Sequence, residues 1–167
     1  MKKYVFKPYS KIFSQLFDEE KKRIVDSIGT IAVIEHVGST AVLGLGGKGI
    51  IDIAIAASKK DLGTVFQKLQ DLGYEFRPTF STPDRFYFVI FLPDPEEETR
   101  RYHVHLTHPE NPEWKDFIGF REYLISHPEV ANEYGEIKKQ AALDANHDGE
   151  KYRKLKESMI QKIVRNL

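Results

Sequence analysis

A single carboxylate, Asp52, stands in one of the most apolar stretches of the chain, Ile50-Ile51-Asp52-Ile53-Ala54-Ile55-Ala56-Ala57. Alternation along an extended strand puts Ile51, Ile53 and Ile55 on one face and Asp52, Ala54 and Ala56 on the other, so one face is core and the other has room. An ionised carboxylate in such a setting is strongly disfavoured unless something pairs with it. Asp52 is therefore expected to bridge to Lys48 or an arginine, to accept hydrogen bonds from loop amides, or to face a site built by the segment before it. In that segment Gly38-Ser39-Thr40 offers backbone N–H groups and two hydroxyls with little bulk, a combination that lets a chain approach phosphate closely, and Lys48 adds a cation.

Histidines supply the second set of reactive groups. His103 and His105 occupy alternate positions of a predicted strand and so project to one side, about 6.5–7 Å apart, with Arg101 and Thr107 beside them. If the sheet joins these strands, His36, Asp52, His103 and His105 converge. Such a set favours Zn²⁺, Mn²⁺ or Fe²⁺ over Mg²⁺, or holds phosphate without metal through imidazolium and Arg101. Arg85, Arg121 and Lys138 are further cations for an anionic ligand. Arg121 falls on the apolar side of its helix near Phe117 and Leu124, where a guanidinium needs an anion.

Three motif matches fail on chemistry. Gly44-Leu45-Gly46-Gly47-Lys48-Gly49 has the glycine spacing of a dinucleotide site, but a strand follows where a helix must open onto the pyrophosphate. A P-loop needs Ser or Thr after Gly-Lys, and Lys48 is followed by Gly49. Asp144-Ala145-Asn146-His147-Asp148-Gly149 begins like a calcium-binding loop, yet Leu155 occupies the position of the bidentate glutamate, so a helix-to-helix turn with an Asp cap is expected.

The elements that must position these groups read as one α+β unit covering residues 1–167, without repeats or linkers. Ile12, Phe13, Leu16, Phe17, Ile24 and Ile28 predict a helix after a Ser10 cap, closed by Gly29. Strands are expected at Ile31–Val37, Ile50–Ala57, Arg85–Leu92 and Arg101–Thr107, with a helix carrying Leu62, Val65, Phe66, Leu69 and Leu72 between the second and third. The acidic run Pro93–Glu98 reads as a solvated turn. The last third is helical: Asn111-Pro112 opens one helix, Ser126-His127-Pro128-Glu129 has capping-box spacing for the next, and Tyr152, Leu155, Met159, Ile160 and Ile163 mark a third. The 167 residues are 41% hydrophobic and 12% aromatic, enough for a sizeable core. With 25 basic and 25 acidic residues no general attraction to nucleic acid or an anionic membrane is expected. No segment has the roughly 20 apolar residues of a membrane span, Met1 to Tyr9 lacks the apolar stretch of a signal peptide, and cysteine is absent; a cytoplasmic protein is expected.

Glu35-His36-Val37-Gly38-Ser39-Thr40-Ala41-Val42, Gly44-Leu45, Lys48 and Ile50-Ile51-Asp52-Ile53 resemble the signature of the GrpB family, a branch of the nucleotidyltransferase superfamily. His103-Val104-His105-Leu106, Trp114, Phe120-Arg121-Glu122-Tyr123-Leu124, His127-Pro128-Glu129-Val130, Tyr134 and Lys138 extend the resemblance over nearly the whole chain. It implies a nucleotidyltransferase-like mixed β-sheet with flanking helices and a helical C-terminal third. Leu43 and Gly49 stand where the family usually carries proline. The superfamily pattern of acid-apolar-acid-apolar is met by Asp52-Ile53-Ala54-Ile55 except that Ala54 replaces the second acid. Nucleotidyl transfer uses carboxylates to clamp divalent metals on the triphosphate, so the resemblance leaves three readings. One is a transferase in which Gly38, Ser39, Thr40 and Lys48 hold phosphate, Asp52 holds Mg²⁺, Mn²⁺ or Zn²⁺, and a histidine such as His105 replaces the missing acid. Another is a non-catalytic binder of a nucleotide or phosphorylated small molecule. The third is a His/Asp metal-dependent hydrolase.

Overall fold

Ile51, Ile53 and Ile55 are wholly buried, and they form part of the core face of a five-stranded mixed sheet. The computed structural model describes residues 5–146 and 148–167. Met1 to Tyr4, the start of the stretch read for a signal peptide, and His147 of the calcium-like motif lie outside the described residues. In the sheet, β1 (Ala32–Val37) pairs antiparallel with β2 (Ile51–Ala57), which runs parallel to β5 (Thr99–Thr107). Then β4 (Phe86–Pro93) and the two-residue β3 (Glu75–Phe76) follow antiparallel, giving the order β1-β2-β5-β4-β3.

Two helices, α1 (Ile12–Ile28) and α2 (Leu62–Asp71), cover the isoleucine face. Phe13, Leu16 and Ile24 of α1 and Val65 and Leu69 of α2 share one core with Ile53, Ile55, Phe88, Val104 and Leu106. Three helices of the last third, α3 (Pro112–Ser126), α4 (Pro128–Asp144) and α5 (Gly149–Arg165), pack around Leu124, Tyr134, Met159 and Ile163 together with Val42 and Leu45 of the loop before β2. Because α3 meets the Asp52 face of the sheet, as the Arg121–Glu35 ion pair and the His105–Phe117 ring contact establish, that face is roofed by helices and left partly hollow.

Caps decide where these helices start. The Asn111 side chain accepts the Glu113 N–H (3.0 Å) and Asp148 accepts those of Glu150 and Lys151 (3.0 and 3.2 Å), as the sequence predicts. Ser126-His127-Pro128-Glu129 is no capping box: Ser126 is the last residue of α3, and His127 occupies the cap position of α4 with its ring stacked on Tyr123. Ser10 caps α1 only weakly, its oxygen 3.4 Å from the Ile12 nitrogen, and donates instead to Glu96 (2.7 Å). The acidic run after β4 is not a solvated turn throughout. Asp94 is buried against Arg100, with Oδ2 2.5 Å from Nε, and Lys7 pairs with Glu97. β3 has no sequence counterpart because two residues are too short for any periodicity. Among the described residues no helix is long and apolar enough to cross a membrane.

Candidate functional site

Strand register assembles the centre. Asp52 faces Val37 of β1 on one side and His103 of β5 on the other, and Ala54 faces His105. Paired residues share a sheet face, so Asp52, His103 and His105 point into the roofed hollow. The His103 Nδ1 lies 3.2 Å from Asp52 Oδ1 and donates to it. Burial raises the Asp52 pKa, but that hydrogen bond and the imidazole charges outweigh it and hold the carboxyl below its ordinary value. The other ring nitrogen of His103 is buried and has no hydrogen-bond partner among the described residues.

The turn after β1 rests directly on this carboxylate. Gly38 has φ 73° and a Cβ there would lie 2.6 Å from Asp52 Oδ2, so only glycine fits. Ser39–Ala41 then form a single 3₁₀ turn. Thr40 serves structure: its hydroxyl donates to the Ile50 carbonyl (3.1 Å) and accepts from His36 Nε2 (2.9 Å).

Cations gather around the turn. Lys138 is 1% exposed, with Nζ over the Tyr134 ring at 4.8 Å. A Cβ on Gly47 would meet that Nζ at 2.8 Å and Ser39 Oγ at 3.0 Å, which places the ammonium and the hydroxyl against the same glycine. Among the described residues Lys138 Nζ has no hydrogen-bond partner. Burial, with the Lys156 charge adding, pushes its pKa down to about 7. Burial and then the charges of Lys156 and Arg101 push Lys48 down to about 8. Lys156 is likewise lowered by burial, and its ammonium and that of Lys48 lie 5.1 and 5.2 Å from the Tyr152 ring. Sequence reasoning missed Lys156, Tyr134 and Tyr152 as site residues. A signal was present: Lys138 and Lys156 interrupt the apolar stripes Tyr134-Ala141-Ala145 and Tyr152-Met159-Ile163 at in-phase positions.

His36 does not join the site. Its Cα partner is Ile53, so it projects to the opposite face of the sheet, stacks on Phe17 of α1 (4.6 Å between centroids), and is pushed down to about 4 by burial. Convergence with Asp52 fails because one residue along a strand reverses the face. Arg121 is held by Glu35 (2.7 Å), Glu122 (2.8 Å) and the His36 carbonyl (2.9 Å), which makes it a clasp between α3 and β1. Arg85 pairs with Glu113 at 2.5 Å and reaches His105 Nδ1 at 3.3 Å. His105 is packed against Phe117 and Tyr87 and pushed to about 4 by burial, so its ring is neutral at ordinary pH. Arg101 shares the face of His103 but lies two residues away, over Phe91.

Ser39 and Lys156 border a cavity of about 290 Å³ whose other walls include Phe117, Phe120, Tyr134 and Asp116. The arrangement therefore offers a polar, cationic end and an aromatic body. It does not offer a resident metal clamp. Among the described residues no three His, Asp or Glu side chains lie close enough together to hold an ion, since Ala54 supplies no acid and His36 faces away. The donors present do not fit the Mg²⁺, Mn²⁺ or Zn²⁺ centre that Asp52, His36, His103 and His105 suggest in sequence.

A family profile described as GrpB protein matches residues 3–166. The chain belongs to the GrpB family. The glutamate-rich protein GrpB of Alkalihalophilus pseudofirmus is 30% identical over 162 residues, spanning 95% of this chain and 92% of the relative. UPF0157 protein YqkA of Bacillus subtilis is 32% identical over 136 residues, 80% of this chain but 38% of that protein. Among solved structures, GrpB from Enterococcus faecalis superposes with a TM-score of 0.80 at 24% identity, covering 97% of this chain and 98% of that one. The Cid1 poly(U) polymerase gives 0.53 at 11% identity over 78% of this chain and 41% of its own. The GLD-2/RNP-8 complex gives 0.60 at 12% identity over 94% and 59%. This GrpB chain thus has a nucleotidyltransferase-like fold, with Asp52 and the Gly38-Ser39 turn on the face that the helices roof.

Proposed function

We infer that the protein binds a nucleotide or another phosphorylated small molecule in the cavity beside Ser39, with phosphate at the Gly38-Ser39-Thr40 turn and the organic part among Phe117, Phe120 and Tyr134. The observation that carries this reading is Lys138: a 1% exposed ammonium that has no hydrogen-bond partner among the described residues and lies against Gly47 and Ser39. Several desolvated cations around one carboxylate repel each other, and an anion relieves that repulsion. The Cid1 neighbour is described as selective for UTP and bound to magnesium and 3′-dATP, which makes a nucleotide the natural first probe. A cytoplasmic setting, without membrane or nucleic-acid partners, belongs to the same reading.

Calorimetric titration with ATP, GTP, CTP, UTP and pyrophosphate, each with and without Mg²⁺ or Mn²⁺, tests it. Saturable binding that Lys138→Met weakens at least tenfold is expected; no heat from any of these anions overturns the reading. Nucleotidyl transfer is a second reading, favoured by the Asp52–His103 pair at 3.2 Å on the hollow face. Pyrophosphate release that Asp52→Asn abolishes would support it, and nucleotide binding without release across acceptors would leave a non-catalytic binder. A hydrolase reading would rest on Asp52, His103 and His105 alone, since His36 lies on the other face of the sheet.

A further inference from the structure

We propose that the cavity beside Ser39 selects guanine nucleotides and that Asp116 is the residue that reads the base. This rests on the reading of that cavity as a nucleotide site and names the base it takes. Two opposite charges border the cavity, the ammonium of Lys156 on α5 and the carboxylate of Asp116 on α3. They form no ion pair with each other, and neither has another salt-bridge partner among the described residues. The charge of Lys156 acts on Asp52 and Lys138, which places it at the end of the cavity formed by the Gly38-Ser39 turn. Asp116 belongs to the other end. Val164 lines the cavity about two turns beyond Lys156, roughly 12 Å along α5. Gly119, one turn beyond Asp116 on the same side of α3, abuts the residue that follows the end of α5: a Cβ there would meet Leu167 Cδ1 at 3.0 Å. The far end of α5 therefore adjoins the part of α3 that carries Asp116.

Between these ends the walls are Phe117, Phe120, Ile160 and Val164, with Phe120 edge-on to Tyr134 at 5.7 Å. Aromatic walls stack a base without telling one base from another, so discrimination falls to the carboxylate among them. An ionised carboxylate only accepts hydrogen bonds, through two oxygens side by side. Guanine sets two donors side by side, its N1–H and its 2-amino group, which match that fork. Adenine and cytosine put a ring-nitrogen acceptor next to their amino group, and the N3–H of uracil sits between two carbonyls. Each of these brings a lone pair against an oxygen of Asp116. The cavity volume of about 290 Å³ stands at the small end of the roughly 300–1,000 Å³ of ligand sites, which suits one nucleoside. A guanine nucleotide spans the two unpaired charges, phosphate towards Lys156 and Ser39, base edge towards Asp116.

Calorimetric titration of the full chain with GTP, ITP, ATP and pyrophosphate tests it. GTP is expected to bind at least fivefold tighter than ITP, which lacks the 2-amino group, and tighter than ATP by at least the same factor. Asp116 is exposed and without a salt-bridge partner among the described residues, so Asp116→Asn should fold as the parent does. That variant is expected to lose the preference for GTP, to keep pyrophosphate affinity unchanged, and to favour XTP, whose 2-carbonyl accepts from the new amide. Equal affinity of the parent for GTP and ITP overturns the proposal without any variant, as does a GTP preference that Asp116→Asn retains. If pyrophosphate binds and no base is preferred, the proposed function stands and guanine selection falls. If none of these anions binds, the proposed function falls and takes guanine selection with it.

Discussion

Lys138 sits in an environment far from the ordinary one for an ammonium. Its ammonium is nearly fully buried and its pKa falls from 10.5 to about 7. Between those values the unfolded chain binds more protons than the folded one, so stability rises with pH across that window and the full cost of burying the charge is felt below about pH 7. Lys138→Met is therefore expected to be more stable than the parent near pH 7, by about 1–3 kcal/mol, with a flatter profile above it; urea unfolding at several pH values measures both. An anion bound in the Ser39 cavity, as proposed, would keep the proton on Lys138. Binding should then take up protons and weaken as pH rises above about 7, which calorimetry in buffers of different ionisation enthalpy reads directly. At Asp52 the expected result depends on metal. Removing its charge by Asp52→Asn should tighten metal-free pyrophosphate binding by Coulomb's law, and should remove any gain that Mg²⁺ or Mn²⁺ gives the parent; unchanged affinity in both conditions would place Asp52 outside the ligand's reach.

Helix and strand ends set how firmly this site is held. The Asn111 side chain caps α3 and also donates to the Thr107 hydroxyl (2.8 Å) and the Asp84 carbonyl (3.2 Å), tying the end of β5 to the helix that carries Phe117 and Arg121. Asn111→Ala removes the cap and leaves buried partners unsatisfied. A loss of about 2–3 kcal/mol in unfolding free energy is expected, with a weaker ligand response because α3 forms one wall of the cavity. Neutral His36 and His105 act at the other end of the pH scale. Both fall from 6.5 to about 4, so the folded chain binds fewer protons in that interval and stability is lost as pH drops from about 6.5 towards 4. Replacing His36 with Gln should lessen that acid loss, seen as a shallower fall of thermal midpoint below pH ~6.5.

At the scale of the molecule, a formal charge of zero hides a local imbalance: Lys48, Lys138 and Lys156 all sense the one Asp52. Ligand binding that neutralises this cluster should stabilise the whole fold through linkage. At about 100 times its Kd, pyrophosphate should add about 2.7 kcal/mol, and Lys138→Met should show far less of that increment in the same melt. The cluster spans the loop before β2, α4 and α5, so its effect on the melting curve reports docking of the helical third onto the sheet rather than any single element.

The amino-acid sequence by itself determined the α+β class, four of the five strands, the helices to within a few residues, and the pairing of Asp52's face with room rather than core. Those features follow from local periodicity and caps, which depend on neighbours a few positions apart. Only tertiary structure decided that His103, and not His36, meets Asp52, since a strand's face is legible but its partner's register is not. Only tertiary structure, too, turned Arg121 and Arg85 into ion-paired clasps and brought Lys138 and Lys156 from separate helices to the Ser39 turn. Whether a cation finds an anion is a question of distance in space, and the spacing of residues along a chain does not contain it.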